Sequence, residues 1–227
     1  MVNYIYQIGG GYMSTISEIS EFLQKGRAKN VKQLVTQAIE EGEDPKVILN
    51  DGLLNGMMSI GERFKKNEVF VPEVLVAARA LNAGLTILEP KLIEVGNEPV
   101  GKAIIGTVKG DLHDIGKNLV TMMLKGAGFE IFDIGVDVEA DVFIDKAEEV
   151  GADIICMSAL LTTTMPQMQV VIDALKEKGL RDKYIVMVGG APVNQKFAEQ
   201  IGADYYTEDA ASCAEAARQV ILKRAEG

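Results

Sequence analysis

The chain has 227 residues, enough for one large domain or two small ones, and is 48% hydrophobic, 25% charged and 6% aromatic, with no Trp. Its formal net charge of −10 excludes a nucleic-acid binder and disfavours an anionic membrane surface, because acidic surfaces repel phosphates instead of releasing their counterions. Cys156 and Cys213 lie far apart and match no metal or redox spacing. Cys156, in an apolar run, reads as a buried thiol, and with no disulfide framework the expected compartment is the reducing cytoplasm.

Residues 1–13 are expected to be an N-terminal extension. No basic segment precedes an apolar one there, as a signal peptide requires, and Met13 is an alternative start. No run reaches the roughly 18 uninterrupted apolar residues of a membrane span. From Ser14 onward the pattern is helical, with a short first helix near Ile16 to Leu23. Val31, Leu34, Val35, Ala38 and Ile39 share one helical face, and Gly42 can close that helix. Asp44 then caps a helix with Pro45 at its first position, where the missing N–H costs nothing. That helix carries Val47, Ile48, Leu54, Met57, Met58 and Phe64, and a further one opened by Pro72 carries Leu75, Ala78, Leu81, Leu85 and Leu88. Four such helices over 14–90 bury their stripes best as a four-helix bundle. Pro90, Gly96, Pro99 and Gly101 among polar residues mark a linker over 91–101.

After the linker the period changes. Short apolar runs at 102–108, 129–133, 153–158, 184–189 and 204–206 read as strands. Helices separate them: one ending near Gly126, then 140–150, 165–178, 194–201 and a last one over 209–224. Such alternation demands parallel pairing, so 102–227 is expected to be a doubly wound, flavodoxin-like five-stranded sheet, and the whole chain α/β. Near-continuous apolar strands such as Ile154-Ile155-Cys156-Met157 fit a sheet covered on both faces. In such folds ligands bind at the carboxyl ends of the strands.

The loop after the first strand reads Lys109-Gly110-Asp111-Leu112-His113-Asp114-Ile115-Gly116, and His113 is the only histidine. Asp111, two residues away, can reach one ring nitrogen and leave the other oriented as a metal ligand. Gly116 removes a side chain where the helix starts, so something bulky can approach the backbone. One imidazole is too little for a structural zinc site but suffices for a metal that arrives inside a macrocycle. The third strand ends in Ser158-Ala159-Leu160-Leu161-Thr162-Thr163-Thr164, with Thr164 expected to cap the next helix, and the fourth ends in Gly189-Gly190. Small and hydroxyl residues at these ends leave an open slot beside His113.

Together these residues resemble the cobalamin-binding domain of corrinoid methyltransferases. Its pattern is Asp-x-His-x-x-Gly, then Ser-x-Leu, then Gly-Gly, matched by Asp111, His113 and Gly116, by Ser158 and Leu160, and by Gly189 and Gly190. The resemblance implies that His113 is the lower cobalt ligand of a cobalamin or related corrinoid, displacing the cofactor's own base. It implies a relay from His113 to Asp111 to Thr164, where the family often has Ser. It also implies that the released nucleotide tail occupies a slot lined by Ser158, Leu160, Thr162, Gly189 and Gly190, with Asp114 and Ile115 beside the corrin.

The likeness extends to the helical half. There the segment from Gly61 to Pro72 is similar to the turn of a cap over the upper corrin face, with Phe64, Val71 and Val74 matching its apolar residues. It is closest to the small stand-alone corrinoid proteins of methylotrophic methanogens and acetogens. Such a protein carries a methyl group on cobalt between a substrate-specific methyltransferase and a second methyltransferase acting on a thiol or folate-type acceptor, and is served by a reductive activator. The donor is a methylamine, betaine, methanol or methoxylated aromatic, chosen by the partner. No residues for activating a methyl donor are visible, which favours a carrier with no complete active site of its own. The cap would then swing at the linker to admit partners. Rival readings are a cobalamin-dependent regulator or sensor, which usually adds a DNA-binding segment; the cobalamin domain of a carbon-skeleton isomerase; and a cofactor-free receiver-like domain.

Overall fold

Local capping begins the helices where the sequence places them. In the computed structural model, which describes residues 14–225, Ser14 Oγ accepts the Ser17 N–H (3.2 Å) at the start of α1 (Thr15–Gln24). The extension expected over 1–13 lies outside the described residues. α2 (Ala28–Glu40) is followed by Gly42 at φ +84°, which makes the left-handed turn out of the helix. Asp44 then caps α3 (Pro45–Val47) by accepting the Lys46 N–H at 2.8 Å.

α3 runs without a break into a π-helical stretch, Ile48–Leu54, and on into α4 (Asn55–Lys65). The third expected helix is therefore one composite rod. Its buried face is Ile48, Leu53, Leu54, Met57 and Ile60, whereas Met58, expected on that face, is 47% exposed. The wider turn brings residues five apart, Ile48 and Leu53, to one side.

α5 (Val71–Glu94) starts where Glu73 Oε2 accepts the Phe70 N–H at 2.9 Å. It continues through Pro90 to Glu94, so the linker expected over 91–101 begins later, after Glu94. Pro90 and the Thr86 region face solvent, where a carbonyl that loses its helical donor can bond to water. α5 has the length and composition of a membrane span, but Val74, Ala77, Ala78, Leu81 and Leu88 are buried within the helical core.

The second half alternates as expected: β1 (Lys102–Thr107), α6 (Ile115–Gly126), β2 (Glu130–Asp133), α7 (Ala140–Val150), β3 (Ile154–Ser158), α8 (Pro166–Glu177), β4 (Ile185–Gly189), α9 (Gln195–Ile201), β5 (Tyr205–Tyr206) and α10 (Ala210–Ala225). All pairs are parallel, in the order β2-β1-β3-β4-β5. The chain reverses its direction of winding between β1 and β3, so the crevice at their carboxyl ends is the ligand position this topology provides. Register aligns those ends: Thr107 lies opposite Ser158, and Ser158 opposite Gly189.

Alternate strand residues feed two cores. Ile104, Ile155, Met157, Val186 and Val188 pack with α7, α8 and α9. Ala103, Ile105, Ile154, Cys156 and Met187 face α6 and α10, and that cluster is continuous with the core of the helical half. Both cysteines are buried in it, and the hydrogen bond with Cys213, together with burial, pushes the Cys156 thiol well up. The helical half is seated by glycines. A Cβ on Gly126 would lie 2.2 Å from Met57 Cγ, and one on Gly61 would lie 2.5 Å from Met123 Cε.

Candidate ligand site at the ends of β1, β3 and β4

Asp111 is the hub. It sits in the loop between β1 and α6 with no exposed surface. Its Oδ1 accepts the His113 Nδ1–H at 2.7 Å and the His113 amide at 3.1 Å. Its Oδ2 accepts the Leu160 amide (2.7 Å), the Leu161 amide (3.3 Å) and the Thr164 hydroxyl (2.7 Å). Burial alone would push this carboxyl up. The hydrogen bonds from Thr164, Leu160 and His113 outweigh it and hold the carboxyl well below the usual carboxylate range. An ionised Asp111 can only accept, so Nδ1 carries a proton, and Nε2 is the nitrogen through which the neutral ring could bind a metal.

The structure therefore brings together the expected Asp111, His113 and Thr164. Thr164 does not cap α8 with its side chain, as the sequence reading expected; its hydroxyl is committed to Asp111, and α8 starts at Pro166 with no side-chain cap. The His113 side chain is half exposed, and Nε2 makes no hydrogen bond among the described residues. Around it stand Leu112 (71% exposed), Ile115 (77%), Leu160 (43%) and Leu161 (40%), an apolar rim on a polar hub. Asp114 precedes α6 and accepts the Asn118 side-chain amide at 3.0 Å.

Open space lies where the expected slot should be. A Cβ on Gly116 would meet nothing within 4 Å, and one on Gly189 would meet only the Thr207 carbonyl, at 3.8 Å. Gly190 serves differently: at φ +127° its missing Cβ would stand 1.8 Å from the Ala159 carbonyl oxygen, so only glycine lets β4 leave the sheet against the β3 loop. Ser158 accepts the Val108 amide with its carbonyl (3.0 Å), and Thr162 is exposed. Of the expected cap residues, Phe64 and Val71 are partly buried against the helical core. Val74 has no exposed surface, so it offers none to a ligand in this arrangement.

Three contributions escaped the sequence reading. Thr107 is buried, and its hydroxyl donates to the His113 carbonyl at 2.9 Å, tying the loop back to β1. Lys117, 3% exposed, pairs with Asp133 at the end of β2 and with Asn118 Oδ1 (2.9 Å), which fixes the first turn of α6. Asp137 grips the loop backbone at Gly110. Their only sequence signal was position: Thr107 ends β1, Asp137 follows β2, and Lys117 stands in the first turn of α6.

The donor set suits a flat metal macrocycle. One neutral imidazole nitrogen, held from behind and rimmed by aliphatic side chains, fits a metal whose other ligands arrive with it.

Comparison with known proteins agrees. A B12 binding domain family matches residues 101–216, and a second B12 binding domain family matches residues 15–89. A corrinoid protein of Desulfitobacterium hafniense is 42% identical, covering 93% of this chain and 99% of that protein. A dimethylamine corrinoid protein of Methanosarcina barkeri is 44% identical over 91% of this chain and 97% of its own. Among solved structures, the methanol:cobalamin methyltransferase complex of Methanosarcina barkeri superposes with a TM-score of 0.83 at 30% identity, covering 92% of this chain and 80% of that one. A cobalamin-binding protein of Desulfitobacterium hafniense superposes at 0.75 with 31% identity, covering 90% and 97%.

Proposed function

The chain belongs to the family of corrinoid proteins built from two B12-binding domains, and from that premise we propose that it is a methyl carrier serving two methyltransferases. One would load the methyl group from a substrate such as a methylated amine or methanol, as the names of the similar proteins suggest. Betaine and methoxylated aromatic donors fit equally, since the partner chooses the donor. The other would pass the methyl group to a thiol or folate-type acceptor, and a reductive activator would restore the corrinoid after oxidation. The observation that carries this reading is His113, with Nδ1 bonded to buried Asp111 and Nε2 free at the crevice.

When bound, the corrinoid supplies a cobalt centre that can accept a methyl group and release it. His113 Nε2 would be the protein's ligand to the cobalt. Asp111 fixes the ring's tautomer and orientation, and the Thr164 hydroxyl steadies Asp111 in turn. A metal-bound imidazole must be unprotonated at the ligating nitrogen, and Asp111, which can only accept, holds the ring's other proton on Nδ1. Ser158, Leu160, Thr162, Gly189 and Gly190 would line the tail slot, with Asp114, Ile115 and Gly116 beside the ring. Phe64 and Val71 would shield the upper face from water, and Val74 would support them from within the helical core.

The test is methyl retention and release. The full chain is reconstituted with hydroxocobalamin, reduced, treated with labelled methyl iodide and gel-filtered. Label should elute with the chain in proportion to bound corrinoid, and should pass to a thiol when a thiol-methylating partner is added. Label that elutes only with free corrinoid, or that stays on the chain with an active partner present, would overturn the proposal.

A further inference from the structure

The loop carrying His113 is held from a second side, by the segment between β2 and α7. Val138 donates its amide to the Thr107 carbonyl at 3.0 Å and bridges Val108. Lys109 pairs with Glu139 at 2.8 Å. Asp137 extends these contacts toward Asp111. Its Oδ1 accepts the Gly110 amide at 2.6 Å, and its own amide donates to the Asp111 carbonyl at 3.0 Å. Asp137 makes both bonds from the left-handed region, at φ +55°, one of two non-glycine residues there among the described residues.

A left-handed backbone strains most side chains, and glycine would adopt it without strain. Gly135, at φ +91°, already turns this loop, so the turn alone does not call for a second special residue. Glycine at 137 would have no acceptor for the Gly110 amide. Side chain and backbone of Asp137 together pin the peptide before Gly110 and the peptide after Asp111, so the Gly110–Asp111 unit is held at both ends, and Gly110 itself sits at φ +78°. The Asp111 carboxylate orients the imidazole, but that carboxylate is placed by its own main chain. We propose that Asp137 is a positioning residue for His113, acting through the Gly110–Asp111 backbone. This rests on the reading of His113 as the corrinoid's ligand.

His113 is the only histidine, so ¹⁵N-histidine labelling gives one ring to follow. The full chain and its Asp137→Gly, Asp137→Asn and His113→Ala variants are compared in two ways. The first is ring ¹⁵N shifts without corrinoid at a fixed pH. The second is the visible spectrum after loading with hydroxocobalamin. Wild type should show the Nδ1–H tautomer and a spectrum that His113→Ala loses. Asp137→Gly keeps the backbone conformation but loses the acceptor; it should mix tautomers and weaken His113 ligation about fivefold, the fold-change of one hydrogen bond. Asp137→Asn keeps both the acceptor and the tolerance of positive φ, and should restore the wild-type result.

Wild-type tautomer and ligation in a folded Asp137→Gly, or Asn behaving no better than Gly, would overturn the inference while leaving His113 as the ligand. Wild type and His113→Ala giving the same spectrum would instead overturn the reading beneath it.

Discussion

Asp111 accepts hydrogen bonds from the His113 ring and amide, the Leu160 and Leu161 amides and the Thr164 hydroxyl. Only an ionised carboxylate can accept from all of them. Its proton affinity is therefore lower in the folded chain than in the unfolded one, and the unfolded chain binds more protons as pH falls. Asp111 accordingly contributes stability above its unfolded value of about pH 4, and that contribution is lost as pH drops through the lower folded value. Asp111→Asn would turn an amide donor toward a ring of donors, at a cost of about 2 kcal/mol near neutrality. Melting temperature measured without corrinoid from pH 7 downward should show the variant well below wild type, the gap narrowing below about pH 4. A gap that stays constant with pH would contradict this account of Asp111. Asp111 and His113 were legible from residue type and spacing, and Thr164 joined them only through the family resemblance. Residue type by itself pointed Thr164 to the wrong task, since a threonine before a helix most often caps it. Thr107 and Asp137 were hidden because they bond backbone atoms, whose positions depend on how two loops meet.

The elements themselves were largely legible. Strand ends fall within about a residue or two of the apolar runs that predicted them, because a sheet covered on both faces needs unbroken apolar strands. The π-helical stretch Ile48–Leu54 was not, since a helix-period reading has no place for a five-residue repeat. Nor was α5 running through Pro90, where water can bond the carbonyl that loses its helical donor. Cys156 and Cys213, unrelated by spacing, meet because α10 covers the face of β3 that carries Cys156. The seat between α4 and α6 rests on contacts no single segment reveals. Met57 lies against Gly126 through its Cβ and Cγ, whereas Met123 reaches Gly61 only with its terminal methyl. Gly126→Ala should thus destabilise the chain by about 1–3 kcal/mol, and Gly61→Ala by less, because a methionine tip moves easily. Urea denaturation of both variants checks this; equal losses, or none, would show that the seat yields freely.

Across the molecule, the helical half and the α6–α10 face of the sheet share one buried cluster. A cap that swings aside at the linker would have to unseat Met57 from Gly126, so partner binding must supply what that separation costs. The crevice is on the edge where β1 and β3 diverge, and its ligand-bearing loop is tied down by Thr107, Asp111 and Asp137. The long aliphatic residues exposed there, Leu112 and Ile115, acquire a purpose if a corrin ring lies over them. Whether His113 holds that ring is tested by one comparison: the visible absorption spectrum of the full chain and of His113→Ala, each refolded with hydroxocobalamin and freed of excess corrinoid. The account predicts corrinoid bound in proportion to wild-type chain, with an imidazole-ligated spectrum that the variant lacks. A folded wild-type chain that retains no corrinoid, or a variant with an unchanged spectrum, would contradict it.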